Sequence, residues 1–298
     1  MSELKVFIDG EFVPESKASI SVFNHGILYG DGIFEGIRAY NGRVFKLTEH
    51  IDRLFDSAKM IKLNIGCTKP QMEDAVLETL RVNKLNKAYI RLVVTRGNGT
   101  LGLDPNNCKT PTIFIITKPM DPIADPKGIT AVTSSMRRMP ISVFSPNIKS
   151  LNYLSNVLVK MEATDRGADE GIFLDMNGNV CEGSAENIFM VKNDILITPP
   201  HISSLNGITR QTIIDIAKND HMFLDSKIFA VEIRNFSIFE MYAADEVFMT
   251  GTAAELAPVI NIDDRKIGNG KPGPITIMLQ KDFTEYINSH GTPIEEVN

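Results

Sequence analysis

Apolar positions along the chain repeat with two different periods, and the changes of period mark out the elements. K-V-F-I-D-G-E-F-V alternates on either side of Asp9-Gly10, a pair suited to a two-residue turn, so a hairpin is expected. K-L-T-E-H-I-D-R-L-F-D-S-A-K-M-I switches to helical spacing, with Leu54, Ala58 and Ile61 on one face and Thr48 as the expected N-cap. A second helix is predicted over residues 71–82 and strands over 88–95 and 111–117. Residues 119–128 then hold three prolines and no apolar period, the composition of a linker or of a loop over a cleft.

Beyond that loop, I-T-A-V-T-S-S reads as a strand. G-I-F-L-D-M-N-G-N-V turns at Asn177-Gly178, and N-I-F-M-V-K-N-D-I-L-I-T turns at Asn193-Asp194. N-I-K-S-L-N-Y-L-S-N-V-L-V-K-M-E-A carries Leu151, Leu154, Val157, Leu158 and Met161 at helical spacing, and on that wheel Lys149 and Lys160 fall opposite the stripe. Strands joined by tight turns and mixed with helices predict an α+β, mixed fold: a smaller N-terminal α/β domain over 1–118, an interdomain loop over 119–128, and a larger domain with a barrel-like β core over 129–298.

Composition narrows the class. A chain of 298 residues with 43% apolar and 23% charged residues can bury a large core. A net charge of −6 with scattered basic residues argues against nucleic-acid binding. Cys67, Cys108 and Cys181 form no metal-ligand spacing, so no metal site is expected, and a reducing cytoplasm fits them. No apolar run approaches the roughly 18 residues that span a bilayer, so a cytosolic protein without a membrane partner is expected.

Four segments hold more glycine, hydroxyl and charge than connectors need. Y-G-D-G-I-F-E-G-I-R-A-Y reads as a glycine-rich bulged strand or as backbone approached closely by a ligand. C-E-G-S-A-E-N places Glu182 and Glu186 in a small-residue loop; such carboxylates are solvated by default, and the functional alternative is a partner for a cationic ring nitrogen. L-N-G-I-T-R precedes a helix in which Thr209 serves as an N-cap or as an anion contact, and M-T-G-T-A-A-E-L follows a strand. Both offer backbone N–H groups and hydroxyls to a phosphate or carboxylate. A lysine, a loop glutamate and two anion sites together make the minimum set for pyridoxal 5′-phosphate, with Lys149 as the Schiff-base lysine.

The order and wording of these blocks carry a resemblance. Y-G-D-G-I-F-E-G-I-R, K-L-T-E-H-I-D-R-L-F-D-S-A-K, A-Y-I-R, I-K-S-L-N-Y-L, E-G-S-A-E-N, G-I-T-R and T-G-T-A-A-E, spread from about Phe7 to about Gln280, resemble the branched-chain amino acid aminotransferases of the fold type IV pyridoxal phosphate enzymes. The resemblance implies reversible ping-pong transfer of the amino group of leucine, isoleucine or valine to 2-oxoglutarate, giving L-glutamate. It implies Lys149 as Schiff-base lysine and proton carrier, Glu182 as partner of the cofactor's ring nitrogen, and Tyr153 on its phenolic oxygen. Arg53, Ile208, Thr209 and Thr252 would bind the phosphate. Tyr29, Phe34 and Tyr89, with Arg38, would shape the substrate pocket. Ala253 and Ala254 N–H groups would take the α-carboxylate, and Arg91 the distal carboxylate of glutamate. A homodimer or higher homo-oligomer is implied as well.

One departure stands out. The family carries a tyrosine in the interdomain loop, and K-P-M-D-P-I-A-D-P has none, so Met120 or another loop residue takes its place. A D-amino acid aminotransferase would place R-x-H after V-T-R-G, where this chain reads R-G-N-G-T-L. An aminodeoxychorismate lyase would lack F-E-G-I-R and A-Y-I-R. A non-catalytic ligand-binding relative is the alternative of a different class.

Overall fold

The computed structural model describes residues 3–218 and 230–295. The chain divides into two compact units. The first comprises Met1–Asp121, Ile148–Asn152 and Ile287–Asn298; the second comprises Pro122–Asn147 and Tyr153–Tyr286. The expected boundaries put 148–152 and 287–298 with the larger domain; pairing of Ser150 with Ile33 and of Thr292 and Pro293 with Val44 and Arg43 draws them to the smaller one.

The first unit contains β1 (Lys5–Ile8), β2 (Glu11–Pro14), α1 (His25–Tyr29), β3 (Gly32–Tyr40), β4 (Arg43–Val44), α2 (Leu47–Met60), α3 (Lys69–Asn83), β5 (Ala88–Thr95) and β6 (Thr112–Lys118). The Asp9-Gly10 turn forms with both residues at positive φ, 49° and 96°. A seven-stranded antiparallel sheet results, ordered β16-β4-β3-β5-β6-β1-β2, in which β16 is Thr292–Pro293 near the far end of the chain. One face of the sheet packs on α2 and α3 through Ile33, Ile37, Ile90, Leu92, Ile51 and Leu54.

Helix α3 starts at a capping box between Thr68 and Gln71. Helix α2 departs from expectation. Lys46 is its N-cap, at φ 52° with no side-chain cap, and Thr48 lies exposed within the first turn, because entering two residues earlier buries Leu47. Strand β3 is buried along its whole length, so Glu35 and Arg38 go into the interior with it.

The second unit contains β7 (Ile129–Arg137), α4 (Leu154–Asp165), β8 (Glu170–Leu174), β9 (Val180–Glu182), β10 (Asn187–Lys192), β11 (Ile195–Thr198), α5 (Ile208–Lys218), β12 (Ala230–Ile233), α6 (Ile238–Tyr242), β13 (Glu246–Gly251), β14 (Glu255–Ile262) and β15 (Arg265–Lys266). Helix α7 (Pro274–Ser289) runs on into the first unit's closing segment. Strands β10-β13-β14-β7-β8-β9 are paired in that order, and β9 pairs back to β10 through Glu182 and Asn187, which closes a six-stranded ring. Ile188, Met190, Val247, Met249 and Ile172 belong to its core. Closure leaves the ring without an unpaired edge. No helix among the described residues is long and apolar enough to cross a membrane.

The stripe expected on the helix after Lys149 is placed differently. Lys149 precedes α4 rather than lying on it, and Leu154, Val157, Leu158 and Met161 are 41–71% exposed. The buried face is Asn156, Val159 and Ala163. Small residues are needed there because α4 lies tightly on β8: a Cβ on Gly171 would fall 2.4 Å from a Val159 methyl.

Candidate functional site

The first unit assembles its part of the site on the sheet face away from α2. The register pairs Phe34 with Val93, Gly36 with Arg91 and Arg38 with Tyr89, and alternation turns this set to one side while Ile33, Glu35 and Ile37 turn to the other. The segment Ile148–Asn152 lies alongside: Phe34 N–H donates to Lys149 O at 2.9 Å and Leu151 N–H to Gly32 O at 2.9 Å. Half-buried Lys149 holds its Nζ 4.5 Å from the centroid of the Phe34 ring, and the Arg91 guanidinium carbon is 3.4 Å from the same centroid. An amine and a guanidinium thus share one aromatic ring.

Neighbouring residues are fitted around that ring. Gly36 leaves room for Tyr89, since a Cβ there would lie 2.4 Å from the Tyr89 hydroxyl and push it aside. Arg38 is almost wholly buried and donates from Nη2 to Met120 O, so it ties down the residue expected to replace the absent loop tyrosine. Tyr29 packs edge-on to His25, ring centroids 4.9 Å apart, and its hydroxyl accepts from Gly102 N–H at 2.8 Å.

Arg53 stands on the other side of the sheet, on α2. Its Nε and Nη2 donate to the two oxygens of Glu35, each at 2.7 Å, and His50 Nδ1 lies 2.8 Å from Glu35 Oε2. Burial alone would raise the Glu35 carboxyl; the Arg53 guanidinium and then His50 outweigh it and hold its pKa at about 2. Burial pushes the His50 imidazole down, and although Glu35 pulls it up, the positive charges of Arg53 and Lys149 push it down further. Sequence reasoning missed Glu35, His50 and Ser57, whose hydroxyl accepts from Lys149 N–H at 3.2 Å. A legible signal existed: His50, Arg53 and Ser57 recur at helical spacing, and Glu35 is a charge inside an apolar strand.

The second unit supplies the remaining expected residues. Glu182, at the end of β9, is buried rather than solvated. Its Oε1 is ion-paired with Arg138 Nη2 at 2.7 Å and its Oε2 accepts from Leu205 N–H at 2.9 Å. The Arg138 guanidinium lies 5.0 Å from the Phe173 ring centroid. Glu186 is buried too. Burial and then the Glu170 carboxylate hydrogen-bonded to it raise its pKa to about 8, while Glu170 Oε1 accepts from Gly171 and Ser184 N–H at 2.8 and 2.9 Å. Neither Arg138, just past the end of β7, nor Glu170, at the start of β8, was anticipated, since only the pairing of the strands brings them to these carboxylates.

At the start of α5, Gly207 admits Asn187: an added Cβ would lie 1.8 Å from Asn187 Oδ1. Thr209 is buried in the first turn, so it is not the N-cap. Thr252, Ala253 and Ala254 form the tight connection between β13 and β14; Ile123 N–H donates to Ala253 O at 3.1 Å. Just before this turn, the buried hydroxyl of Thr250 has no hydrogen-bond partner among the described residues. Tyr153, expected near the lysine, is the N-cap residue of α4.

The chain is similar to known proteins in sequence and in fold. The family model for class IV amino-transferases matches residues 32–262. A protein of Methanocaldococcus jannaschii named "Putative branched-chain-amino-acid aminotransferase" is 52% identical over 292 residues, covering 98% of this chain and 99% of its own. The crystal structure of the Escherichia coli branched-chain amino acid aminotransferase superposes with a TM-score of 0.91 at 35% identity, over 97% of this chain and 96% of the other. That of the Thermobaculum terrenum branched-chain amino acid aminotransferase, solved in its PLP-form, superposes with a TM-score of 0.88 at 28% identity, over 99% of each chain.

Proposed function

We propose that this chain, which belongs to the class IV amino-transferase family, moves the amino group of leucine, isoleucine and valine reversibly to 2-oxoglutarate, with pyridoxal 5′-phosphate as cofactor. The observation that carries this reading is the shared Phe34 ring: an amine for the chemistry and a guanidinium for a second carboxylate meet at one apolar surface.

The residues fit the cofactor by their chemistry. Lys149 offers a half-buried amine. Glu182 offers a buried carboxylate, balanced by Arg138 and pinned by a backbone N–H, to face a ring nitrogen. Ile208, Thr209 and Thr252 offer N–H and hydroxyl donors to a phosphate, beside the glycine whose Cβ position is filled by Asn187 and beside the Thr250 hydroxyl, which has no partner among the described residues. Arg53 adds a guanidinium already fixed in plane. Tyr153 would donate to the phenolic oxygen.

When bound, the cofactor supplies an electron sink that stabilises negative charge at the amino acid's α-carbon. Lys149 Nζ takes the α-proton and returns it at the other end of the exchange. Ala253 and Ala254 N–H groups hold the α-carboxylate. Phe34, Tyr89 and Tyr29 with Arg38 bound the apolar side-chain site, and Arg91 receives the distal carboxylate when glutamate occupies it. The first oxo acid leaves before the second substrate enters. The exposed stripe on α4 supports assembly as a homodimer or higher homo-oligomer.

A spectroscopic half-reaction tests the proposal. The visible band of the purified holoenzyme is followed while L-leucine, L-glutamate or D-alanine is added in separate cuvettes. Loss of the band with the two L-amino acids alone is expected. A response to D-alanine alone moves the chain to a D-specific activity, and a protein with no band removes Lys149 from the chemistry.

A further inference from the structure

We propose that Glu35 and His50 are positioning residues for Arg53, and that α2 sets the anion-binding guanidinium and the Lys149 backbone in one fixed register. The inference rests on the reading that Arg53 takes the cofactor's phosphate.

A carboxylate in the middle of a fully buried strand is expensive unless its charge is matched. Glu35 is matched on both oxygens: Arg53 Nε donates to Oε1 and Nη2 to Oε2, a two-point contact that fixes the plane of the guanidinium as well as its position. An arginine side chain otherwise keeps several soft torsions, and an anion would have to order them on binding. Here that ordering is complete before the anion arrives.

His50 contributes differently. It is buried between Glu35 and the positive charges of Arg53 and Lys149, all of which are in the first unit, and its imidazole is therefore neutral. A neutral ring facing a carboxylate at 2.8 Å donates through Nδ1–H. Glu35 thus gains a second fixed donor without a second positive charge, and its remaining negative charge stays directed at Arg53.

The same helix reaches the lysine segment. His50, Arg53 and Ser57 lie at positions i, i+3 and i+7 on one side of α2, and Ser57 Oγ accepts from Lys149 N–H at 3.2 Å. A rotation or slide of α2 would therefore displace the guanidinium and the lysine backbone together. A purely structural ion pair would stabilise the unit but would not favour a phosphorylated ligand over its dephosphorylated form.

That difference is the test. Binding of pyridoxal 5′-phosphate and of pyridoxal is titrated by absorbance on full-length wild type, Arg53→Met, Glu35→Gln, His50→Leu, His50→Asn and the double variant Arg53→Met/His50→Leu, with a thermal melt for each. His50→Leu and Glu35→Gln are expected to weaken the phosphorylated ligand by roughly tenfold while leaving pyridoxal within about twofold. His50→Asn, which keeps an N–H donor, recovers most of the loss. In the Arg53→Met background, His50→Leu adds little, the signature of residues acting through one another.

Equal weakening of both ligands by the His50 and Glu35 variants, while Arg53→Met weakens only the phosphorylated one, overturns the inference alone. Equal weakening of both by Arg53→Met sinks the phosphate assignment, and the inference with it. The two His50 variants keep the test decisive if Glu35→Gln does not fold.

Discussion

Glu35 in the first unit and Glu186 in the second are both removed from solvent, yet one carboxyl is held at about 2 and the other at about 8. Burial pushes both in the same direction. What separates them is the partner each fold brings up: a guanidinium from α2 for Glu35, a second carboxylate from β8 for Glu186. The first unit thus keeps a fixed charge under its sheet, and the second keeps a shared proton just past the strand that ends at Glu182. One arrangement makes a strong electrostatic anchor, and the other avoids placing a second full negative charge close to Glu182.

The contrast can be broken most severely at Glu35. Glu35→Leu strands the Arg53 guanidinium in a largely buried setting and is expected to cost about 3–5 kcal/mol, read as a fall in the urea midpoint with little change in slope. A loss below about 1 kcal/mol would mean that Arg53 escapes to water and that the pair is not an anchor.

A smaller effect comes from pH, with opposite signs for the two residues. The lowered Glu35 pKa contributes stability above the ordinary carboxylate range, and that contribution is lost as pH falls through that range towards about 2. The raised Glu186 pKa contributes stability on the acid side, and that contribution is lost as pH rises towards about 8. Between pH 6 and 7 the Glu186 contribution should fall by at most about 1.4 kcal/mol. Glu186→Gln keeps a hydrogen-bonding side chain without the titration, so urea curves at the two pH values should draw together. Unchanged separation in that variant would place the proton elsewhere.

The smallest effect sharpens the rule with a different acid. Burial, then Asp175 and Glu182, push the Cys181 thiol up to about 12. In the native protein at pH 8 a thiol reagent is expected to reach the half-buried Cys67 and Cys108 first and Cys181 only on unfolding. Native-state labelling of Cys181, mapped by mass spectrometry, would show that the β9 region opens locally.

Much of the fold was legible because its signals are local. Asp9-Gly10, Asn177-Gly178 and Asn193-Asp194 turn where their φ preferences say they should, and the β5 limits follow directly from the apolar run. Mixed strands with tight turns pointed to a barrel-like core, and the ring is there. Thr48 was misjudged because a cap was chosen by residue type, whereas burial of Leu47 decides where α2 begins. The α4 stripe was misjudged because helical spacing finds an apolar face without saying what covers it, and Gly171 draws the opposite, small-residue face to the sheet.

The candidate site divides in the same way. Lys149, Phe34, Tyr89, Arg91 and Glu182 could be named from short blocks. Their neighbours could not, because Ser57 meets Lys149 and Arg138 meets Glu182 only once the chain is folded, and the same holds for Glu35 at Arg53 and Glu170 at Glu186.

The six-stranded ring closes where Asn187 pairs with Glu182. A hoop gives way at its join, and this join is made by the residue assigned to the cofactor's ring nitrogen. A ligand held by the Glu182 carboxylate would therefore also rivet the hoop shut, and under the proposed function loading the enzyme and making its second unit resistant to proteases would be a single event.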